Sequence, residues 1–267
     1  MLSLREIEEG ACYISDETRI FVAWEMLYYA SKIFWTCDTL KILDRAKSLY
    51  NYAFVAGENN KFGELVELLQ QVENPIIDTV RIVICFENYF KALLLLNKYA
   101  IHQMNLDICR NEFPQFVFGQ NKQLLQRSTP ILISDIKQAE NNDPWSMEPL
   151  RILNNQTISI STLLKNQKYR AVYSKGNKSD KKLFPILKSL NSTRNSLHFL
   201  NVDYIAGSKL QINDLVFLRD YVSTHIDTWG GNFYRDNKDL IGIGKTQIEH
   251  LEPIRKIVKR VEKGDET

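Results

Sequence analysis

Residues 74–100 constrain the fold more than any other stretch of this chain. Asn74-Pro75 sets a capping side chain directly before proline, which at the first helical position loses only an N–H that has no partner there anyway, so a helix starts at Pro75. From Ile76 to about Ala100 the residues are Ile, Val, Leu and Phe on almost every side. A helix that is apolar all round must be surrounded, so this one is expected to be the buried central helix of the fold. Its one polar stripe carries Asp78, Arg81, Cys85 and Asn88, and Glu87 and Lys91 stand at favourable i,i+4 spacing. Charges at 78, 81, 87 and 91 argue against a membrane span.

Helical periodicity recurs along most of the chain. Asp16 can cap a helix to about Trp35, with Ile20, Trp24, Leu27 and Ser31 on one face. Thr39 to about Val55 is a second helix. Gly57 to Asn60 is a turn, and a short helix follows to about Val72. Pro114, Pro130, Pro144 and Pro149 punctuate residues 104–156, leaving short helices near 122–127 and 133–139. A helix is predicted from Thr157 to about Lys165, then a connection from Gln167 to Asn177. Ser179 or Asp180 caps the next helix, with Pro185 in its first turns and Leu183, Leu187 and Leu190 as its apolar stripe. A helix from Asn213 to about His225 follows. Gly230-Gly231 is expected to break the chain, and a last helix runs from about Thr246 to Glu262. Residues 131–133, 158–160 and 240–243 are candidate short strands. The fold class is therefore all-α. The expected organisation is an acidic N-terminal helical extension (1–74), a helical core (75–225) and a C-terminal loop and helix on that core (226–267).

Charge is unevenly spread. The formal net charge is only +2, which gives no global nucleic-acid signature. Residues 1–74 hold twelve acids against seven bases, whereas residues 165–194 hold nine bases and one acid, a local net of +8. In that second segment Lys168, Arg170, Lys175, Lys178, Lys181 and Lys182 are candidate contacts to an RNA backbone, since such cations release counterions from phosphates. Tyr169 and Tyr173 are interleaved and suited either to base stacking or to a core. A solvated lysine surface is the plainer reading of the same residues.

Several chemistries are set aside. The cysteines at 12, 37, 85 and 109 lack metal-site spacing and read as reduced thiols. The acidic residues 1–9 have no signal-peptide apolar run, so a cytoplasmic location is expected. Gly242-Ile-Gly-Lys-Thr246 resembles the end of a phosphate-binding loop but has Asp239 where a glycine is needed. His102, His225 and His250 stand singly. No metal or cofactor is expected.

The basic segment closes on Arg194-Asn-Ser-Leu-His198. Four residues apart on a helix, Arg194 and His198 share a face on the continuation of the apolar stripe. They combine a fixed cation for phosphate with a proton donor or acceptor near neutral pH. A structural reading stands beside this one: Arg194 pairs with a buried acid such as Asp78 or Glu87, and His198 caps a helix or fills a core gap.

Two blocks together resemble the HEPN superfamily of helical nucleotide- and RNA-associated domains. One is Phe86-Glu-Asn-Tyr-Phe-Lys-Ala-Leu-Leu-Leu-Leu-Asn97, followed by His102. The other is Thr157-Ile-Ser-Ile-Ser-Thr-Leu-Leu164, followed by Leu187-Lys-Ser-Leu-Asn-Ser-Thr-Arg-Asn-Ser-Leu-His198. The likeness covers roughly residues 75–225. It implies a HEPN-type helical bundle, here with extra N-terminal and C-terminal helices, commonly a homodimer. It also implies a metal-independent endoribonuclease of the kind found in toxin–antitoxin and phage-defence systems, with an antitoxin or other regulatory protein as a possible partner. On this resemblance Arg194 would hold the scissile phosphate, Asn195 would hydrogen-bond near it, and His198 would act as general base or acid. The chain departs from the family in one respect: three residues separate Arg194 and His198 where four to six are usual. The alternative is a catalytically inactive module of the same type that binds RNA, a nucleotide or a partner protein.

Overall fold

The computed structural model describes residues 12–40, 75–105, 130–139, 153–174, 178–197 and 212–262. The predicted helix beyond residue 40, the turn at 57–60, the helix ending near 72 and the helix near 122–127 lie outside these residues. Among the described residues the chain is mostly helical, with one small antiparallel sheet. No described helix is long and apolar enough to cross a membrane. The chain forms two compact units. The first comprises Met1–Leu27, Tyr89–Lys175 and Gly230–Thr267; the second comprises Tyr28–Asn88 and Gly176–Trp229. Residues 75–225, expected as one core, contribute to both.

Helix α1 spans Asp16–Trp35 and α2 spans Pro75–Leu96. The cap of α1 is Ser15 rather than Asp16: the Ser15 hydroxyl accepts from the Thr18 amide at 3.3 Å. Asp16 instead sits in the first turn and pairs with Arg19 at 3.0 Å, where a carboxylate also complements the helix dipole.

In the first unit, the buried Arg19 guanidinium donates to the Leu95 carbonyl near the end of α2 at 2.9 Å. Helix α2 closes in a Schellman turn. The Tyr99 amide bonds to the Leu94 carbonyl and the Lys98 amide to the Leu95 carbonyl, both at 2.9 Å. Lys98 takes the left-handed conformation, φ 63°, that glycine usually supplies there. The chain then enters β1 (His102–Met104), which pairs antiparallel with β2 (Leu153–Thr157). His102 faces Thr157 and Met104 faces Leu153, so β2 carries extra residues in a bulge. The Asn154 side chain accepts from the Gln156 amide inside it at 3.2 Å. Helix α3 (Ile133–Ala139) lies where the sequence predicts it.

The remaining elements of this unit correct several expectations. The helix predicted from Thr157 begins at Ile160 as α4 (Ile160–Lys165), because Thr157 belongs to β2 and Ser159 is the cap. The predicted connection 167–177 contains α5 (Gln167–Tyr173), capped by the Asn166 side chain. Tyr173 fastens α5 back by donating to the Leu163 carbonyl. The Gly230-Gly231 break is absent: α8 (Trp229–Asp236) runs through it. Helix α9 (Lys238–Glu262) starts well before Thr246 and absorbs the candidate strand 240–243. A ring contact between Trp24 and Tyr234, centroids 5.2 Å apart, holds α8 to α1. Gly244 lets α9 meet the first turn of α1, since a Cβ there would lie 2.3 Å from the Glu17 carbonyl oxygen.

The second unit is built from the remainder of α1 and α2, from α6 (Lys178–Leu197) and α7 (Ile212–Val222), and from a π-helical turn at Ser223–Thr228. Its core includes Phe34, Ile82, Phe86, Leu183, Leu187, Leu190, Leu218 and Val222. Ser179 and Asp180 lie inside α6, so Pro185 is an interior residue, placed on the exposed side. Asp78 is buried and accepts from both the Thr39 amide, at 2.7 Å, and the Thr39 hydroxyl. It also pairs with Arg81 at 3.0 Å. Asp78 therefore anchors the start of the helical residues 38–40 and is not the partner of Arg194. Cys37 and Cys85 are buried, and burial pushes the Cys37 thiol up to about 12, with the Asp78 carboxylate adding to the effect. Burial raises Cys85 likewise, so neither thiol is a ready nucleophile.

Candidate functional site around Arg194

Helix α6 presents two unlike faces. Leu183, Ile186, Leu187, Leu190 and Asn191 are buried, while Lys181, Lys182, Pro185, Lys188, Ser189, Ser192 and Asn195 are exposed. Lys182 lies over the Phe217 ring, 4.7 Å from its centroid. Asp180, the one acid of the basic segment, lies 3.3 Å from the Tyr221 hydroxyl.

Arg194 sits at the boundary between these faces. Its Nη1 is 3.7 Å from Glu87 Oε2, with side-chain exposures of 24% and 20%. Its Nη2 donates to Asn195 at 3.3 Å. Its Nε is buried and has no hydrogen-bond partner among the described residues. The guanidinium is thus held by charge and not by a tight bidentate bond, unlike the usual Arg–carboxylate fork. Asn191, one turn earlier, is 6% exposed, and its Oδ1 also has no partner. Of the two acids that the sequence offers Arg194, Asp78 and Glu87, the partner is Glu87. The sequence carries no sign of Asn191, because a single Asn in a polar run has no burial signal.

The other sequence candidates fall in different places. His198 and Lys175 lie outside the described residues, as does the side chain of Lys178, which opens α6. Lys168 is exposed and Arg170 half-buried on α5, in the first unit, whereas Lys181 and Lys182 belong to the second. The basic segment is therefore divided between the two units. Tyr169 is buried and Tyr173 stacks on Phe90 at 4.6 Å, so both are core residues and not a base-stacking platform.

A second polar cluster lies within the first unit. The Tyr13 hydroxyl is 2.7 Å from His102 Nδ1 and accepts from the Ile101 and His102 amides, each at 3.3 Å. With both amides donating to the oxygen, the hydroxyl proton points to Nδ1, which fixes His102 as a neutral imidazole protonated on Nε2. Burial, reinforced by the nearby Lys91 ammonium, lowers the His102 pKa to about 4. Lys91 is itself buried and donates to the Thr157 hydroxyl at 3.0 Å. This arrangement ties the residues before α1 to the sheet, and its basic nitrogen is already occupied.

The glycines of the loop-like motif serve no phosphate. Gly242 and Thr246 line a shallow depression of about 520 Å³ on α9, with Lys238, Asp239, Ile243 and Gln247. A helix interior has no free amides to cradle an anion. Among the described residues no three His, Cys, Asp or Glu side chains converge as a metal site would require. No protein-family model, no curated protein and no solved structure matches this chain.

Proposed function

We propose that the chain is a HEPN-type protein that acts on RNA at Arg194, as a metal-independent endoribonuclease. One observation carries the reading. The two blocks on which the resemblance rests bring Glu87 and Arg194 to 3.7 Å, with the guanidinium only loosely held. A half-buried, under-coordinated arginine is a ready phosphate ligand, because a phosphodiester can offer the parallel acceptors that Glu87 does not. Exposed Lys181 and Lys188 on the same helix supply attraction for the backbone.

In this reading Arg194 holds the scissile phosphate and offsets the charge that develops on it. Asn195 hydrogen-bonds beside it. His198 takes the proton from the ribose 2′-hydroxyl or gives one to the leaving oxygen. The nucleophile belongs to the RNA, so the products are a 2′,3′-cyclic phosphate and a 5′-hydroxyl end. A homodimer, and a regulatory partner of the antitoxin kind, belong to the same proposal. A non-catalytic RNA-binding module is the second reading, favoured by the Glu87 contact, which occupies Arg194, and by the three-residue spacing to His198.

The test is incubation of the purified protein with RNA in EDTA, beside Arg194→Ala and His198→Ala. Cleavage that each substitution reduces at least about a hundredfold, as expected for losing a charge-stabilising or proton-transfer group, supports the nuclease. Arg194-dependent, salt-sensitive binding without cleavage supports the binding module. Cleavage unchanged in both variants rules out this site.

A further inference from the structure

We infer that Asn191 is the residue by which this site tells RNA from DNA; the inference rests on the RNA reading above. Asn191 is 6% exposed, and its side-chain oxygen has no hydrogen-bond partner among the described residues. A buried acceptor without a donor is costly to keep, and most buried polar atoms avoid that state. Three residues later, Arg194 buries an Nε that also lacks a partner. Residues three apart are neighbours on a helix surface, so α6 holds one unused acceptor and one unused donor a turn apart. Glu87 stands at the guanidinium, and both of those side chains keep some exposure, whereas Asn191 Oδ1 and Arg194 Nε are themselves covered, so in this inference a ligand reaches them only by displacing the Glu87 carboxylate.

A ribonucleotide matches this pair. Its phosphate oxygens accept from Arg194 Nε and Nη, displacing the Glu87 carboxylate. The 2′-hydroxyl of the flanking nucleotide is a donor set beside that phosphate, and it donates to Asn191 Oδ1. DNA fills the Arg194 half and leaves the Asn191 oxygen orphaned; discrimination at the 2′-hydroxyl is the general way proteins separate the two nucleic acids. An inorganic anion would likewise satisfy only Arg194.

The experiment uses the full chain carrying His198→Ala, so that RNA is not consumed. Binding of short single-stranded RNA and DNA of one sequence is followed by fluorescence anisotropy, with and without Asn191→Leu. A single neutral hydrogen bond is worth about fivefold to tenfold in affinity. The parent should prefer RNA by that factor, and RNA carrying 2′-deoxy nucleotides should bind like DNA. Asn191→Leu should abolish the preference by weakening RNA alone, with the melting temperature held or raised, since it removes an unsatisfied buried acceptor. A preference that survives Asn191→Leu overturns the inference. So does a marked drop in melting temperature, which would assign the amide to the core. If the parent binds no RNA in an Arg194-dependent way, the RNA reading itself falls.

Discussion

Alanine at Gly244 and alanine at Gly242 should move stability in opposite directions, although both glycines lie in one helix two residues apart. At Gly244 the added Cβ would meet the Glu17 carbonyl oxygen at 2.3 Å, its carbon at 2.8 Å and Phe21 Cβ at 2.8 Å. Ordinary carbon–oxygen contact begins near 3.4 Å, so α1 and α9 would have to part by about 1 Å. The obstacle is backbone, which cannot swing aside as a side chain tip can. Overpacking of this kind costs about 3 kcal/mol. Removing a helical glycine returns about 1 kcal/mol, so Gly244→Ala should lose about 2 kcal/mol net. At Gly242 a Cβ would meet nothing within 4 Å, so only the helix-propensity gain of about 1 kcal/mol remains. Each kcal/mol moves the melting temperature of a domain this size by about 2–4 °C. Thermal melts followed by far-UV circular dichroism should therefore show Gly244→Ala falling by about 4–8 °C and Gly242→Ala rising by about 2–4 °C. Shifts of the same sign in both variants would refute the close approach of α1 and α9.

Two further outcomes follow from the first unit. Lys98→Gly should raise the melting temperature, because the φ of 63° costs a side-chain-bearing residue about 1–2 kcal/mol and glycine gives back only part of that; a lower melting temperature would refute the Schellman turn. His102 should make stability pH-dependent. Its folded pKa, about 4, lies below the unfolded value of 6.5, so the unfolded chain binds more protons between those values. Stability is then full above pH 6.5 and declines as pH falls towards 4, by about 3 kcal/mol. Urea midpoints across that range should show the decline, and His102→Gln should flatten it; an unchanged slope would refute the buried neutral imidazole.

Local signals were legible where they were strong. Asp16, Trp35 and Pro75 mark observed helix ends, and residues 133–139 form the helix that periodicity predicts. The failures share a cause in contacts between residues far apart. Strand β2 is built from Leu153-Asn-Asn-Gln-Thr157 and gains its conformation by pairing with His102–Met104, about fifty residues away. Gly230-Gly231 reads locally as a break and residues 240–243, beside Gly244, as a strand, but ring contact of Trp24 with Tyr234 and close approach to Glu17 outweigh the weak helix propensity of these glycines. At the candidate site, Arg194 was visible by its chemistry and Glu87 by its place in the central helix. Asn191 was not, since only burial distinguishes it from the polar residues beside it.

The two units also bear on how such a chain can be taken apart. The first uses three segments and the second two, so the polypeptide passes between them four times. Two of those passages fall inside α1 and α2. No single cut yields either unit whole. Both termini belong to the first unit, so a terminal deletion reaches the second only after removing a whole segment of the first. Point substitutions in the intact chain are the instrument that separates them.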